Sequence, residues 1–175
     1  NFVVEQFERN ILDLPDVSDE LFEFYKSQFD YKKPLIDVKT TTISGFQDGY
    51  TAQKFEMETT YDTGEKLFGY IVYSNKFKGK YDPVIFFPNA SSITNNSDSN
   101  LYQGMFGMKH LVDEGYAIIH PVYHNTYSRK KTYNTFWPDE SENYKNTIIK
   151  IGQDFKRSID YIESRSDFNI ENLSY

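Results

Sequence analysis

Two apolar runs, Val84-Ile85-Phe86-Phe87 and Tyr116-Ala117-Ile118-Ile119-His120-Pro121-Val122, constrain most strongly what this chain can fold into. Neither alternates apolar with polar residues, so each suits a strand covered on both faces. The first is bounded by Asp82-Pro83 and by Pro88-Asn89. Between the two runs lie a polar loop over 90–100 and one helical stripe, Leu101, Met105, Met108, Leu111 and Val112. Gly115 follows where a helix C′ cap is expected. Strand, helix and strand at this spacing form a βαβ crossover, which predicts two adjacent parallel strands with helix 101–114 between them.

The residues before this unit read differently. The apolar positions Phe2, Val3, Phe7, Ile11 and Leu12 are close to helical spacing, and Pro15 ends that run. Ser18 is placed as an N-cap, with Asp19 and Glu20 in the first turn of a short helix that carries Leu21, Tyr25 and Phe29 and ends near Asp30. From Val38 the pattern turns to strands. Val38–Ile43 is rich in β-branched residues, and Ala52–Tyr61 and Lys66–Ser74 flank Asp62-Thr63-Gly64, a turn signal that makes them a hairpin. After the second apolar run comes a long polar and aromatic loop over 123–141, which contains the single tryptophan, Trp137. A long helix from about Asn143 to Arg165 then carries Tyr144, Ile148, Ile151, Phe155, Ile159 and Ile162 as a core-facing stripe. Ser166–Phe168 make a turn, and Asn169–Tyr175 lead into what reads as another strand.

Composition narrows the function classes. The net charge of −7 argues against a nucleic-acid surface, which needs a basic stripe, and the short run Arg129-Lys130-Lys131 reads as a solvated loop. The chain has no cysteine, so disulfides, thiolate metal sites and cysteine nucleophiles are excluded. The three histidines are not at metal-ligand spacing, so neither a metal nor a cofactor is expected. No apolar stretch is long enough to span a membrane. No signal segment is visible, which favours the cytoplasm only slightly because the chain opens on Asn1 and both ends look truncated. Fifteen Phe and fifteen Tyr supply the ring volume for a single core.

Ligands of open α/β sheets bind beyond the carboxyl ends of the parallel strands. Two segments fall there. Pro88-Asn89-Ala90-Ser91-Ser92 follows the first apolar run. It reads either as a solvated β–α loop or as a source of backbone N–H donors at Asn89 and Ala90. Tyr123-His124-Asn125-Thr126 follows the second run, and His124 reads either as a titrating group or as an ordinary loop histidine. His120, within a strand, and His110, on a helix, read as structural. Ser91, Ser92, Ser97 and Ser99 are nucleophiles by type, but none lies in G-x-S-x-G. Asp154 and Asp160 are expected to be solvated or capping on the last helix, and Asp139, Glu140 and Glu142 to decorate the loop before it.

The pieces V-I-F-F-P-N (84–89), G-Y-A-I-I-H-P-V-Y-H-N-T-Y (115–127), F-W-P-D-E-S (136–141) and F-K-R-S-I-D-Y-I-E-S-R-S-D-F-N-I-E-N-L-S-Y (155–175) resemble α/β-hydrolase domains of the prolyl oligopeptidase and dienelactone-hydrolase type. They are especially similar to those fused to bacterial serine/threonine protein kinases. The resemblance implies the N-terminal portion of an α/β-hydrolase fold: a mixed sheet with antiparallel first strands, then parallel strands with crossover helices. It implies an N-terminal helical lead-in over 1–37 and the hydrolase portion over 38–175. The nucleophile elbow would come next after Leu173-Ser174-Tyr175. The whole protein would then be a serine hydrolase cleaving a small-molecule ester or a peptide-like bond through an acyl-enzyme, with a fused kinase domain as a candidate partner. These 175 residues would be inactive alone, supplying oxyanion-loop backbone at Asn89 and Ala90 and substrate-lining Tyr123, His124 and Trp137, but no catalytic side chain. No G-x-G-x-x-G, H-R-D or D-F-G of a kinase is present. Two other readings stay open: a binding or regulatory module on an inactive hydrolase scaffold, and a complete small α/β domain.

Overall fold

The computed structural model describes residues 13–62, 64–129, 135 and 137–175. The expected helix over the first twelve residues therefore lies outside the described residues. The chain forms two compact units, 1–30 and 31–175. In the first, helix α1 (Asp19–Ser27) starts where expected, with Ser18 Oγ accepting the Leu21 N–H at 3.3 Å. It is a short helix with no buried side chain.

The second unit is built on one five-stranded sheet. Its strands are β1 (Val38–Thr42), β2 (Tyr50–Glu58), β3 (Lys66–Ser74), β4 (Asp82–Ile85) and β5 (Tyr116–Val122), in the order β1-β2-β3-β5-β4. The first three strands are antiparallel, and β3 pairs antiparallel with β5. β4 and β5 are parallel, with Val84 opposite Ile118 and Ile85 opposite Ile119. This is the mixed sheet that the sequence predicts, and it is open. The crossover from β4 to β5 is not one helix. It breaks into α2 (Leu101–Met105), a 3-10 turn (Phe106–Met108) and α3 (Lys109–Asp113). Gly104 precedes the break and Gly107 lies within it, as expected for a residue that disfavours a helix interior. Gly115 closes α3 at φ 100°, a conformation that favours glycine.

Side chains on opposite sheet faces form two cores. Phe55, Leu67, Ile71, Ile85, Ala117 and Ile119 pack with Tyr161 and Ile162 of helix α4 (Glu142–Glu163). Ala52, Tyr70, Val72, Ile118 and Val122 pack with Met105 and Val112 of the crossover. The alternation along β5 sends odd and even residues to different cores, so both faces are covered.

β4 departs from the expected Val84–Phe87 strand buried on both faces. The strand ends at Ile85, Val84 is half-buried, and Phe86 and Phe87 are 38% and 54% exposed. β5 covers one edge of β4. On the other edge Ser174 makes a parallel bridge to Val84, donating its N–H to Pro83 O at 2.9 Å and accepting the Ile85 N–H at 2.8 Å. Leu173–Tyr175 thus lie beside β4, where the sequence expects the next strand, but they give no partner to the rings beyond Ile85.

Two expectations for α4 are also corrected. Asp154 and Asp160 are not solvated: they are 1% and 8% exposed. Asp160 accepts the Tyr31 hydroxyl at 2.7 Å and pairs with Lys33 at 2.7 Å, while Arg157 donates to the Leu35 carbonyl at 3.0 Å. These bonds clasp segment 31–35 to the helix. The apolar stripe is only partly core-facing, because Ile148 is 38% exposed while Ile162 is fully buried.

Candidate functional site

The loops leaving β4 and β5 emerge at one edge of the sheet, since the two strands are parallel. After β4, Asn89 caps a 3-10 helix (Ala90–Ile93), and its side chain accepts the Ser91 N–H at 3.0 Å. Ser92 donates its N–H to Asn89 O at 3.1 Å, so the N–H groups of Asn89 and Ala90 precede the helix's own ladder. Both residues are exposed. Ser91 is exposed and Ser92 is buried, and no described bond links either to a histidine.

After β5 the chain turns sharply. Asn125 and Tyr127 take φ of 61° and 47°, left-handed values uncommon for residues with a Cβ. A buried charge network holds this turn. Arg129 Nη1 donates to Val122 O at 2.7 Å and to Asp154 Oδ2 at 2.8 Å. Its Nη2 donates to the Tyr61 hydroxyl at 2.7 Å and to Glu65 Oε1 at 2.8 Å. Asp154 Oδ2 also accepts the His124 main-chain N–H at 2.7 Å. Burial pushes the Asp154 carboxyl up to about 6, against the pull of Arg129 and its other donors, so it stays ionised at neutral pH. Glu65 runs the other way: burial raises its carboxyl, but Arg129 and His124 outweigh that and hold it below the usual range. Arg129 is only 5% exposed. The expectation of a solvated loop at this residue is therefore wrong, because two carboxylates and a carbonyl compensate the buried guanidinium; Lys130 and Lys131 lie outside the described residues.

The predicted site residues fall into different settings. Tyr123 has no exposed surface; its ring lies 4.8 Å from that of Phe87, which ties the two loops together. His124 is 7% exposed, and its ring Nδ1 sits 3.2 Å from Glu65 Oε1 and beside the Tyr61 ring. Burial lowers its pKa, so the ring is neutral at pH 7. His124, Tyr61, Glu65, Asn146, Thr147 and Lys150 line an open groove of about 630 Å³ between the β2–β3 turn and the start of α4. Trp137 is 77% exposed. The structure therefore brings Tyr123 and His124 against the 87–90 loop and the groove. Sequence reasoning missed Tyr61, Glu65 and the role of Asp154. Among the described residues no group of three or more His, Asp or Glu could hold a metal ion, and no helix is long and apolar enough to cross a membrane.

No protein-family model and no curated relative matches the sequence. Solved structures do. Acetyl xylan esterase 1 from Thermoanaerobacterium sp. superposes with a TM-score of 0.60 at 12% identity, over 89% of this chain and 49% of its own. An acetyl xylan esterase from Paenibacillus sp. R4 gives 0.58 at 13% identity, over 90% of this chain and 50% of its own. This chain spans about half the length of the structures it matches. The likeness, read with the strand order and the open carboxyl edge, establishes the fold: residues 31–175 form an open mixed sheet of the α/β-hydrolase type, shared with one half of these esterases.

Proposed function

We propose that this chain is the leading half of a serine hydrolase that cleaves small-molecule esters through an acyl-enzyme. The observation that carries the reading is the parallel bridge from Ser174 to Val84. It directs the chain onto the free edge of β4, beside the loop that begins at Pro88. In an α/β-hydrolase the nucleophile elbow follows such a strand and faces that loop. In this reading the Asn89 and Ala90 N–H groups stabilise the tetrahedral oxyanion, and the Arg129–Asp154 network fixes the turn that presents His124. His124 and Trp137 contact substrate, and Tyr123 supports the wall behind them. The nucleophile, its acid and its catalytic base lie outside these 175 residues. The acetyl xylan esterases among the structural neighbours make acetyl esters the first substrates to try. The finer type, prolyl oligopeptidase or dienelactone hydrolase with a fused kinase, rests on the motif matches alone.

The test compares 1–175 with a chain extended through the residues that follow Tyr175 in its gene. The extended chain is expected to turn over 4-nitrophenyl acetate and to be labelled by a fluorophosphonate, while 1–175 does neither. Turnover by 1–175 that is lost in Ser91→Ala or Ser92→Ala would overturn the proposal. An extended chain that folds but carries no reactive serine would leave the regulatory-module reading instead.

A further inference from the structure

The groove beside the β2–β3 turn holds a histidine whose ring proton its neighbours assign. His124 Nδ1 lies 3.2 Å from Glu65 Oε1, and the same oxygen accepts Arg129 Nη2 at 2.8 Å. Burial raises the Glu65 carboxyl, but Arg129 and His124 outweigh it, so Glu65 is ionised at neutral pH. An ionised carboxylate only accepts hydrogen bonds. Burial lowers the His124 pKa, so the ring carries a single proton there. That proton sits on Nδ1, facing Glu65, and leaves a lone pair on Nε2. The lone pair can be reached. The Nε2 of His120 is sealed in the fold without a partner, whereas that of His124 is not sealed. Among the described residues nothing donates to it, and the ring lines the groove with Tyr61, Asn146 and Lys150.

The surroundings select the donor that fits. Each described carboxylate lining the groove has a cation: Glu65 has Arg129 at 2.8 Å, and Asp62 has Lys150 at 2.5 Å. With the charges matched, an uncharged donor suits Nε2 better than an ammonium group. A hydroxyl suits it better than an amide N–H, because it donates to Nε2 and can also accept from the exposed Asn146 amide or from Lys150. We propose that His124 is a specificity-determining residue, whose Nε2 accepts a hydrogen bond from a free hydroxyl on the ester substrate, and that Glu65 is the positioning residue that fixes its tautomer. The ester rests on the hydrolase function proposed for this chain; the hydroxyl site rests on the groove alone.

The experiment titrates the 175-residue chain with 2-hydroxyethyl acetate and with propyl acetate, which carries a methyl in place of the hydroxyl. The His124 ring nitrogens are followed in ¹⁵N spectra at pH 7. Without ligand, Nδ1 is expected to be protonated and Nε2 unprotonated. The hydroxy ester should shift the Nε2 resonance saturably. Propyl acetate should bind about fivefold more weakly, the worth of one net hydrogen bond. In Glu65→Gln the side chain can donate as well as accept, so a population with the proton on Nε2 should appear and the preference for the hydroxy ester should shrink. A wild-type proton on Nε2, an unmoved Nε2 resonance, or equal affinity for the two esters would each overturn the proposal. The hydrolase function is tested apart, by the reactive serine of the extended chain. A missing serine with the Nε2 shift present removes the ester and keeps the hydroxyl site. A reactive serine with no Nε2 shift keeps the enzyme and removes this role of His124.

Discussion

Asp154 Oδ2 stands 2.8 Å from Arg129 Nη1, in a pair whose side chains are 1% and 5% exposed. It links α4 to the turn after β5, which carries the left-handed residues Asn125 and Tyr127. Removing one member leaves the other charged and buried. Asp154→Ala and Arg129→Ala should therefore each cost about 3–5 kcal/mol of stability in urea unfolding. The double variant Arg129→Met/Asp154→Leu should recover part of that loss, because Glu65, with its side chain 15% exposed, is then the one carboxylate of the network left without its arginine. A double variant as unstable as the singles would show that the remaining donors, not the ion pair, hold the turn.

His120 sets an acid-side stability term. Its folded-state pKa, about 4, lies below the ordinary 6.5 because burial penalises the charged ring. Between those values the unfolded chain binds a proton that the folded chain does not, so stability falls as pH falls from about 6.5 to about 4. The full difference is about 3 kcal/mol. Asp154, raised to about 6, acts in the opposite sense over much of the same window. The informative quantity is thus the difference between wild type and His120→Phe, measured by urea unfolding at pH 7 and pH 4. The variant should lose about 3 kcal/mol less than wild type over that interval. Parallel pH profiles for the two proteins would refute the assignment.

Two glycines should respond oppositely to alanine. At Gly69 a Cβ would lie 2.6 Å from the His120 carbonyl oxygen and from the Phe55 ring. The first contact is to backbone in the neighbouring strand, which cannot swing aside. Gly69→Ala should cost about 1–3 kcal/mol. At Gly104, within α2, the same atom meets open space, and alanine should add about 0.5–1 kcal/mol through helix propensity. Thermal melts of the two variants against wild type check both signs.

The parts of this fold that could be read from the sequence are those fixed by local pattern. Uninterrupted apolar runs marked β4 and β5, and one stripe between them gave the crossover and so the parallel pairing. Ser18 and Gly115 marked helix ends through their own chemistry, whereas the Ser141 cap of α4 was not read. The site was less legible. Asp154 and Ser158 lie one residue before Phe155 and Ile159, so the buried arc of α4 is rotated by about 100° from its apolar stripe. A helical wheel thus places Asp154 toward solvent. Its partner Arg129 is 25 residues away, and Glu65 is 64 residues from that arginine. Burial of such charges is a property of the assembled fold, where three segments converge, and no single segment signals it. Arg129 also sits next to Lys130, and the charge run hid a residue that turns inward.

The β4 edge makes the last prediction. β5 pairs one side of β4 along its length, while the other side carries two isolated bridges, Tyr81–Phe168 and Val84–Ser174, that stop short of Phe86. Around that edge Phe86, Phe87, Ile170 and Tyr175 are 38%, 54%, 39% and 92% exposed. Phe155 links the strand and helix sides of this surface, with its ring 6.3 Å from Phe87 and 5.9 Å from Tyr175. An apolar surface beyond the last bridge of a sheet edge is a template for association with another chain. The 175-residue chain should therefore self-associate as its concentration rises, in sedimentation velocity or light scattering. Phe87→Lys places a charge on that surface at the loss of the ring contact with buried Tyr123, and it should shift the equilibrium toward monomer with a modest drop in Tm. Association that persists unchanged in Phe87→Lys would place the contact elsewhere. A wild-type chain that stays monomeric at high concentration would mean that the bridge at Ser174 already closes the sheet well enough to exclude a second copy.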